Sequence, residues 1–276
     1  VKKIYNEILG EYVEIVRWPV ERIISMSSGL TETLYMMGLE DLIVGTDAFS
    51  NKPPEAKKKP KVGSYMHVNM DIIRELKPDI VVTITGVQRS IVERLRKERI
   101  AVYPLPIPAD VAGIISNTSI LGYITGYIDN ARKLSTELLR KIGELIPRDR
   151  SRTRSILAVL DFGPRGGLWS PGSASHISDA IHLVGGICAT EKEPVSYVET
   201  KTILEKLESV DIVIYENASY ITLEQPIGYG SFAEMLEKRG IKYYKLEVFH
   251  EETLAHTGPS FILDSMSKLK NIIESL

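Results

Sequence analysis

The sequence predicts an α/β protein built as two lobes of similar topology, each with a mostly parallel sheet, joined by one long rigid helix. Three observations carry this. Short β-rich runs alternate with helical runs over most of the chain, a strand-free stretch of helical periodicity lies in the middle, and a helix–strand pattern from the first half recurs in the second. Length agrees, because 276 residues exceed what one hydrophobic core ordinarily serves.

Strands of the first lobe are expected at Arg22–Met26, Leu42–Gly45, Asp79–Thr83 and Ala101–Leu105. Helical patterns fall between them at Thr31–Met37, Asp71–Leu76 and Ser90–Lys97. Strands separated by helices imply a parallel sheet covered on both faces. The runs IVV and IVI lack polar alternation, as strands buried on both sides do. Asn69 is placed to cap the second helix, and Asp71 sits at its positive dipole end. Pro78 cannot continue that helix and biases Lys77 away from the helical region, so the chain turns sharply into the next strand.

From Asp110 to Ile146 there is neither a strand signal nor a proline. Leu134, Leu138, Ile142 and Leu145 recur at helical spacing. Gly122 and Gly126 mark points of bending or breakage, and Tyr127–Ile146 reads as one helix, closed by Pro147 and the polar run RDRSRTR. The expected organisation is an N-terminal lobe over 1–122, a bridging helix over 123–148 and a C-terminal lobe over 149–276.

The pattern then repeats. SIVERLRKERIAVYPL from Ser90 aligns without a gap to SFAEMLEKRGIKYYKL from Ser231, and upstream DIIRELKPDIVV resembles TILEKLESVDIVI. Both lobes are therefore expected to present loops at the C-terminal ends of their strands, where open α/β sheets bind ligands.

Composition excludes several classes. Hydrophobic residues are 43% and charged residues 25%, as in ordinary globular chains. The net charge of −2 gives no bulk attraction to nucleic acid or to an anionic membrane. A single cysteine, Cys188, allows no internal disulfide and no CxxC zinc site. No apolar run approaches the ~18 residues of a membrane span. The opening VKKIYNEILG lacks a signal-peptide core, and a start at Val1 is expected for a mature or trimmed chain.

Four segments in order resemble one family. ERIISMSSGLTETLYMMGLEDLIVGTD resembles its opening strand–loop–helix–strand, and PPEAKKKPKVGSYMHVNMDIIRELKPDIVV its next segment. ILGYITGYIDNARKL resembles the start of its bridging helix, and LWSPGSASHISDAIHLVGG the second lobe's first loop and helix. The family is that of substrate-binding proteins of ABC importers for ferric siderophores, haem and cobalamin, the helical-backbone or class III periplasmic binding proteins. The resemblance implies two Rossmann-like lobes flanking a ligand cleft, and no enzyme activity. It implies no intrinsic cofactor, a metal chelate as ligand (ferric siderophore first, cobalamin or haem next), an ABC permease with its ATPase as partner, and an extracytoplasmic location. Family members dock through one exposed glutamate on each lobe. Here Arg89 or Ser90, and Lys201, fall near those positions, with Glu93 and Glu199 close by.

Candidate contacts in the first lobe are Ser27, Ser28, Phe49, Tyr65, His67, Thr85, Gln88 and Arg89. Tyr65 and His67 precede a helix at the cleft rim, and a tyrosine offers a flat face with one polar handle. Arg89 suits a carboxylate or catecholate, with a solvated surface charge as the plain alternative. In the second lobe the candidates are Arg165, Trp169, Tyr215, Asn217, Tyr220, Phe249 and His250. GPRGG at Gly163–Gly167 lacks the ending of a phosphate loop, and Ser27–Ser28 lack a hydrolase elbow. Of the five histidines, none shows HxH or HExxH spacing. His182 reads as a packed core residue, while His67, His176 and His250 leave a rival reading open, a receptor for bare zinc or nickel. A metal-cofactor enzyme on the same scaffold is the third reading.

Overall fold

The computed structural model describes residues 1–276 except 65–66, 87, 151–152, 163–166, 218–228 and 247–252; at 200, 217 and 229–231 it describes the backbone alone. The chain forms two compact units. Unit 1 comprises 1–108, 112–139 and 257–259, and unit 2 comprises 109–111, 140–256 and 260–276.

Unit 1 opens with a hairpin of β1 (Lys2–Asn6) and β2 (Glu11–Ile15). Ile4, Val13 and Ile15 alternate inward and are buried. On the outer face the cross-strand pair Tyr5 and Tyr12 meet edge to face at 5.3 Å. Next come β3 (Ile23–Ser25), α1 (Ser28–Met36), β4 (Ile43–Asp47), β5 (Lys61–Gly63), α2 (Met70–Leu76), β6 (Ile80–Ile84), α3 (Arg89–Lys97) and β7 (Val102–Leu105). The five strands β3–β7 are all parallel, in the order β5-β4-β3-β6-β7. The first of these strands lies at the centre, so the order reverses between β3 and β6. Their C-terminal ends form the switch point where such sheets take ligands.

The sequence signals have visible causes here. All of β6 is buried, and Ile24, Val81, Ile73, Ile91 and Leu95 share one core. Asn69 caps α2, its side chain accepting from the Asp71 and Ile72 amides at 3.1 and 3.2 Å. Lys77 before Pro78 is left-handed, at φ 43°, which ends that helix. Asp79 then binds the start of the neighbouring strand, accepting from the Glu21 and Arg22 amides at 2.8 and 2.9 Å.

The middle of the chain is two helices, α4 (Val111–Thr125) and α5 (Ile128–Leu145). Gly126 separates them at φ 92°, with the Pro19 ring where a β-carbon would stand. The long helix thus runs over Ile128–Leu145, within one residue at each end of the Tyr127–Ile146 expected from sequence, and its residues pass from unit 1 to unit 2 after Leu139.

Unit 2 contains β8 (Arg154–Asp161), β9 (Leu168–Pro171), α6 (His176–Leu183), β10 (Gly186–Cys188), β11 (Tyr197–Glu199), α7 (Thr200–Lys206), β12 (Ile212–Asn217), α8 (Tyr229–Lys238), β13 (Tyr243–Leu246) and α9 (Met266–Glu274). Its sheet runs β11-β9-β8-β12-β13, with β10 also on β8. β8, β10, β12 and β13 are mutually parallel, but β9 is antiparallel to both β8 and β11. The repeat seen in sequence is thus structural. In each unit the aligned segment supplies a helix and an edge strand, α3–β7 and α8–β13. Asp211, aligned with Asp79, likewise accepts from the amide at the start of its neighbour, Ser155, at 2.7 Å.

Candidate ligand-binding site

In unit 1 the loops at the C-terminal ends of the strands form one hydrogen-bonded rim. The Ala48 amide donates to the Gly63 carbonyl at 2.7 Å, tying the loop after β4 to the loop after β5. The Ile107 amide donates to Thr85 Oγ1 at 3.1 Å, tying the loop after β7 to the loop after β6. Gln88 joins the two sides of the switch point. Its Nε2 donates to the Met26 carbonyl at 2.6 Å after β3, and its Oε1 accepts from the Ile84 amide at 2.9 Å on β6. Gln88 is fully buried with both ends of its amide engaged. It is therefore a brace beneath the rim, which corrects its expected role as a ligand contact.

Beneath the loops after β3 and β4 lies a buried polar chain. Ser25, Thr31, Asp47 and Ser50 are all 0% exposed. Thr31 Oγ1 lies 2.9 Å from Ser25 Oγ and 2.8 Å from Ser50 Oγ, and Ser50 Oγ donates to Asp47. Burial raises the Asp47 pKa, against hydrogen bonds from Ser50 and the Phe49 amide and the nearby Lys61 charge. Lys61 is pushed down by its own burial. Its Nζ donates to Thr46 Oγ1, the Ser50 carbonyl and the Ala56 carbonyl at 3.0, 2.8 and 3.2 Å.

The other unit 1 candidates sort by accessibility. Ser27 is buried at the N-cap of α1, its side chain making no capping bond, so Ser28 is the accessible member of that pair. A β-carbon on Gly29 would stand within 2.9 Å of the Thr257 backbone, which explains the glycine after the two serines. Phe49 and Thr85 are partly exposed, and Tyr65 lies outside the described residues. His67 is exposed beside a hollow of about 540 Å³ that Asn69, Arg74 and Arg94 also line. Arg89 is open to solvent but bonded to Glu93 at 3.1 Å one turn on. A second hollow, about 550 Å³, lies between the hairpin and α3 and includes Ala101 and Val102. It sits at the N-terminal end of β7, away from the rim.

In unit 2 Trp169 stands on β9, opposite Leu160 and Glu199 in the ladder, rather than on a free loop. Tyr215 is fully buried and its hydroxyl donates to Asp161 at 2.7 Å, so it belongs to the core and not to the ligand surface. Asn217 ends β12. Arg165, Tyr220, Phe249 and His250 lie outside the described residues. Glu199 and Lys201 are both exposed at the head of α7.

His67, His176 and His182 stand in separate surroundings. Among the described residues no group of three or more His, Cys, Asp or Glu side chains is placed to hold an ion. His176 is buried, its Nε2 3.0 Å from the Leu254 carbonyl and its ring edge-on to Phe261 at 4.6 Å. Burial brings its pKa down to about 4, so it is a neutral donor in the core. His182, expected in the core, is exposed in the last turn of α6, with Nε2 3.3 Å from Arg150 Nη1. The helical period was right, but the ring projects beyond the apolar stripe.

The geometry is that of an α/β fold whose strand-end loops in unit 1 are tied to one another by hydrogen bonds. Residues 23–218 match the family model described as periplasmic binding protein. The vitamin B12-binding protein of Yersinia pestis (strain Pestoides F) is 28% identical over 202 residues, covering 70% of this chain and 69% of that protein. The periplasmic vitamin B12 binding protein BtuF of Vibrio cholerae superposes with a TM-score of 0.71 at 19% identity, over 93% of this chain and 98% of the other. The periplasmic heme binding protein HutB of Vibrio cholerae gives 0.72 at 18% identity, over 91% and 98%. These two likenesses establish the fold, and the relatives are binding proteins rather than enzymes. The chain belongs to the periplasmic binding protein family.

Proposed function

We propose that this protein is the extracytoplasmic solute-binding component of an ABC importer, and that its cargo is a tetrapyrrole-like metal chelate, a corrinoid first and haem second. The observation that carries the reading is the match to vitamin B12-binding proteins over 70% of the chain. The rim supports the order. Among the described unit 1 candidates the accessible groups are Ser28, Phe49, His67, Thr85 and Arg89, the last bonded to Glu93 on the surface. A surface of aromatic and hydroxyl groups suits a large, partly apolar ring system better than a highly anionic ferric chelate, so siderophores move to third place. Because backbone and buried side chains hold the rim, little ordering entropy is lost on binding. Loaded protein would then deliver its cargo to a membrane permease. Among the described residues no helix is long and apolar enough to cross a membrane.

Tryptophan fluorescence tests the reading directly. Trp18 precedes β3, at the end of the sheet remote from the rim, with Lys2 Nζ 4.7 Å above its ring. Trp169 stands on β9. In a Trp18→Phe variant, cyanocobalamin and haemin are expected to quench saturably at micromolar or lower concentration, with ferrichrome weaker and Zn²⁺ silent. Saturable binding of Zn²⁺ alone would establish the bare-ion reading instead.

A further inference from the structure

We propose that Thr31, Ser50 and Asp47 are positioning residues that lock the loop after β3 to the loop after β4, so that Ser28 and Phe49 meet the cargo as one preset surface. The proposal rests on the binding function above but concerns residues that touch no ligand. Thr31 is the hub. It sits in the first turn of α1, and its hydroxyl reaches Ser25 at 2.9 Å on one side and Ser50 at 2.8 Å on the other. Ser25 in turn lies 3.4 Å from the Ser27 carbonyl, which also accepts the Thr31 amide at 2.9 Å. Ser50 is held from three directions, its hydroxyl by Thr31 and Asp47 and its carbonyl by Lys61. Phe49 lies between Asp47 and Ser50 in sequence, so the conformation of its backbone is fixed at both ends.

Stability alone does not account for this arrangement. Burying three hydroxyls and a carboxyl costs more than packing aliphatic side chains of equal volume in the same space. Among the described residues one Asp47 oxygen, Oδ2, has no hydrogen-bond partner. What the chain supplies in return is direction, because hydrogen bonds fix angles that apolar contacts leave loose. The link spans 19 residues of sequence between Thr31 and Ser50 and joins two loops that the sheet itself leaves unconnected beyond their strands.

The test is a pair of single variants on opposite sides of the link, Thr31→Val and Ser50→Ala, each combined with Phe49→Ala, with cyanocobalamin and haemin as probes. Each single variant is expected to weaken binding about tenfold, and each double variant no more than its Phe49→Ala parent, because coupled residues are not additive. Thr31→Ser, which keeps the hydroxyl, should restore affinity to within about twofold. Amide exchange in the free protein reads the coupling without any ligand. Thr31→Val should speed exchange at Phe49 and Ser50, and Ser50→Ala should speed it at Thr31, each about fivefold or more. Additive losses of affinity, or exchange that rises only on the substituted loop, would overturn the proposal. If the parent binds neither probe, the functional reading fails while the exchange result still decides the coupling.

Discussion

Units 1 and 2 begin their sheets alike and finish them differently. At the N-terminal ends of the strands both use an aspartate to hold the neighbouring strand, Asp79 in one and Asp211 in the other. Both close one side of the sheet with a helix and a parallel edge strand from the same repeat. At the C-terminal ends the likeness stops. In unit 1 the first parallel strand, β3, runs straight into α1 through Ser27 and Ser28. In unit 2 the corresponding strand, β8, is followed by the antiparallel β9 before α6 is reached. The N-terminal ends of the strands share one solution in both units, and the C-terminal ends, where open α/β sheets take ligands, differ.

Three measurements sharpen or break that comparison. The largest effect is expected from unit 2 alone, at His176. Burial lowers its folded pKa to about 4, so between the ordinary histidine range and that value the unfolded chain holds more protons than the folded one. Its contribution is complete above about pH 6.5 and is lost as pH falls toward 4, on the order of 3 kcal/mol in all. Urea unfolding at pH 7, 5.5 and 4.5 should show this loss, and His176→Gln should flatten it; an unchanged slope would mean that another group governs acid stability. The next effect belongs to unit 1. Gln88→Leu strips partners from the buried Met26 carbonyl and Ile84 amide and should cost about 2 kcal/mol by urea titration at pH 7. A cost near zero would mean that the two strand ends do not depend on the brace. The smallest concerns the shared device itself. Asp79→Ala loses two amide partners and Asp211→Ala one, so losses of about 2 and about 1 kcal/mol are expected. Equal losses would show that the two aspartates carry the same load despite the different number of bonds.

Much of the scaffold was legible because its causes are local or periodic. β3, β4, β6 and β7 appeared within a residue or two as apolar runs, the cap at Asn69 and the stop at Lys77–Pro78 as short-range chemistry, and the repeat as an ungapped alignment. The antiparallel β9 was missed, since a four-residue strand carries no signal of the direction in which it pairs. The rim was read less well than the scaffold. Loops holding polar residues after buried strands stand where expected, and Ser28, His67, Thr85 and Arg89 are accessible there, but Ser27, Gln88 and Tyr215 are buried. Gln88 looks like a rim contact beside Arg89, yet its partner Met26 is 62 residues away. Tyr215 looks like a strand-end aromatic, yet Asp161 binds its hydroxyl from 54 residues away. His182 went the other way, since an apolar helical context does not say whether one ring points to the core or to water.

By itself the sequence determined the alternation of strands and helices, the duplicated plan and the points where helices start and stop. Those follow from side-chain period, backbone restriction and capping, which act over a few residues. Only the tertiary structure decided which polar side chains are buried as braces beneath the rim and which stay exposed. That choice depends on whether a donor finds its acceptor on a distant strand or in water, and burial by distant parts of the chain sets the answer.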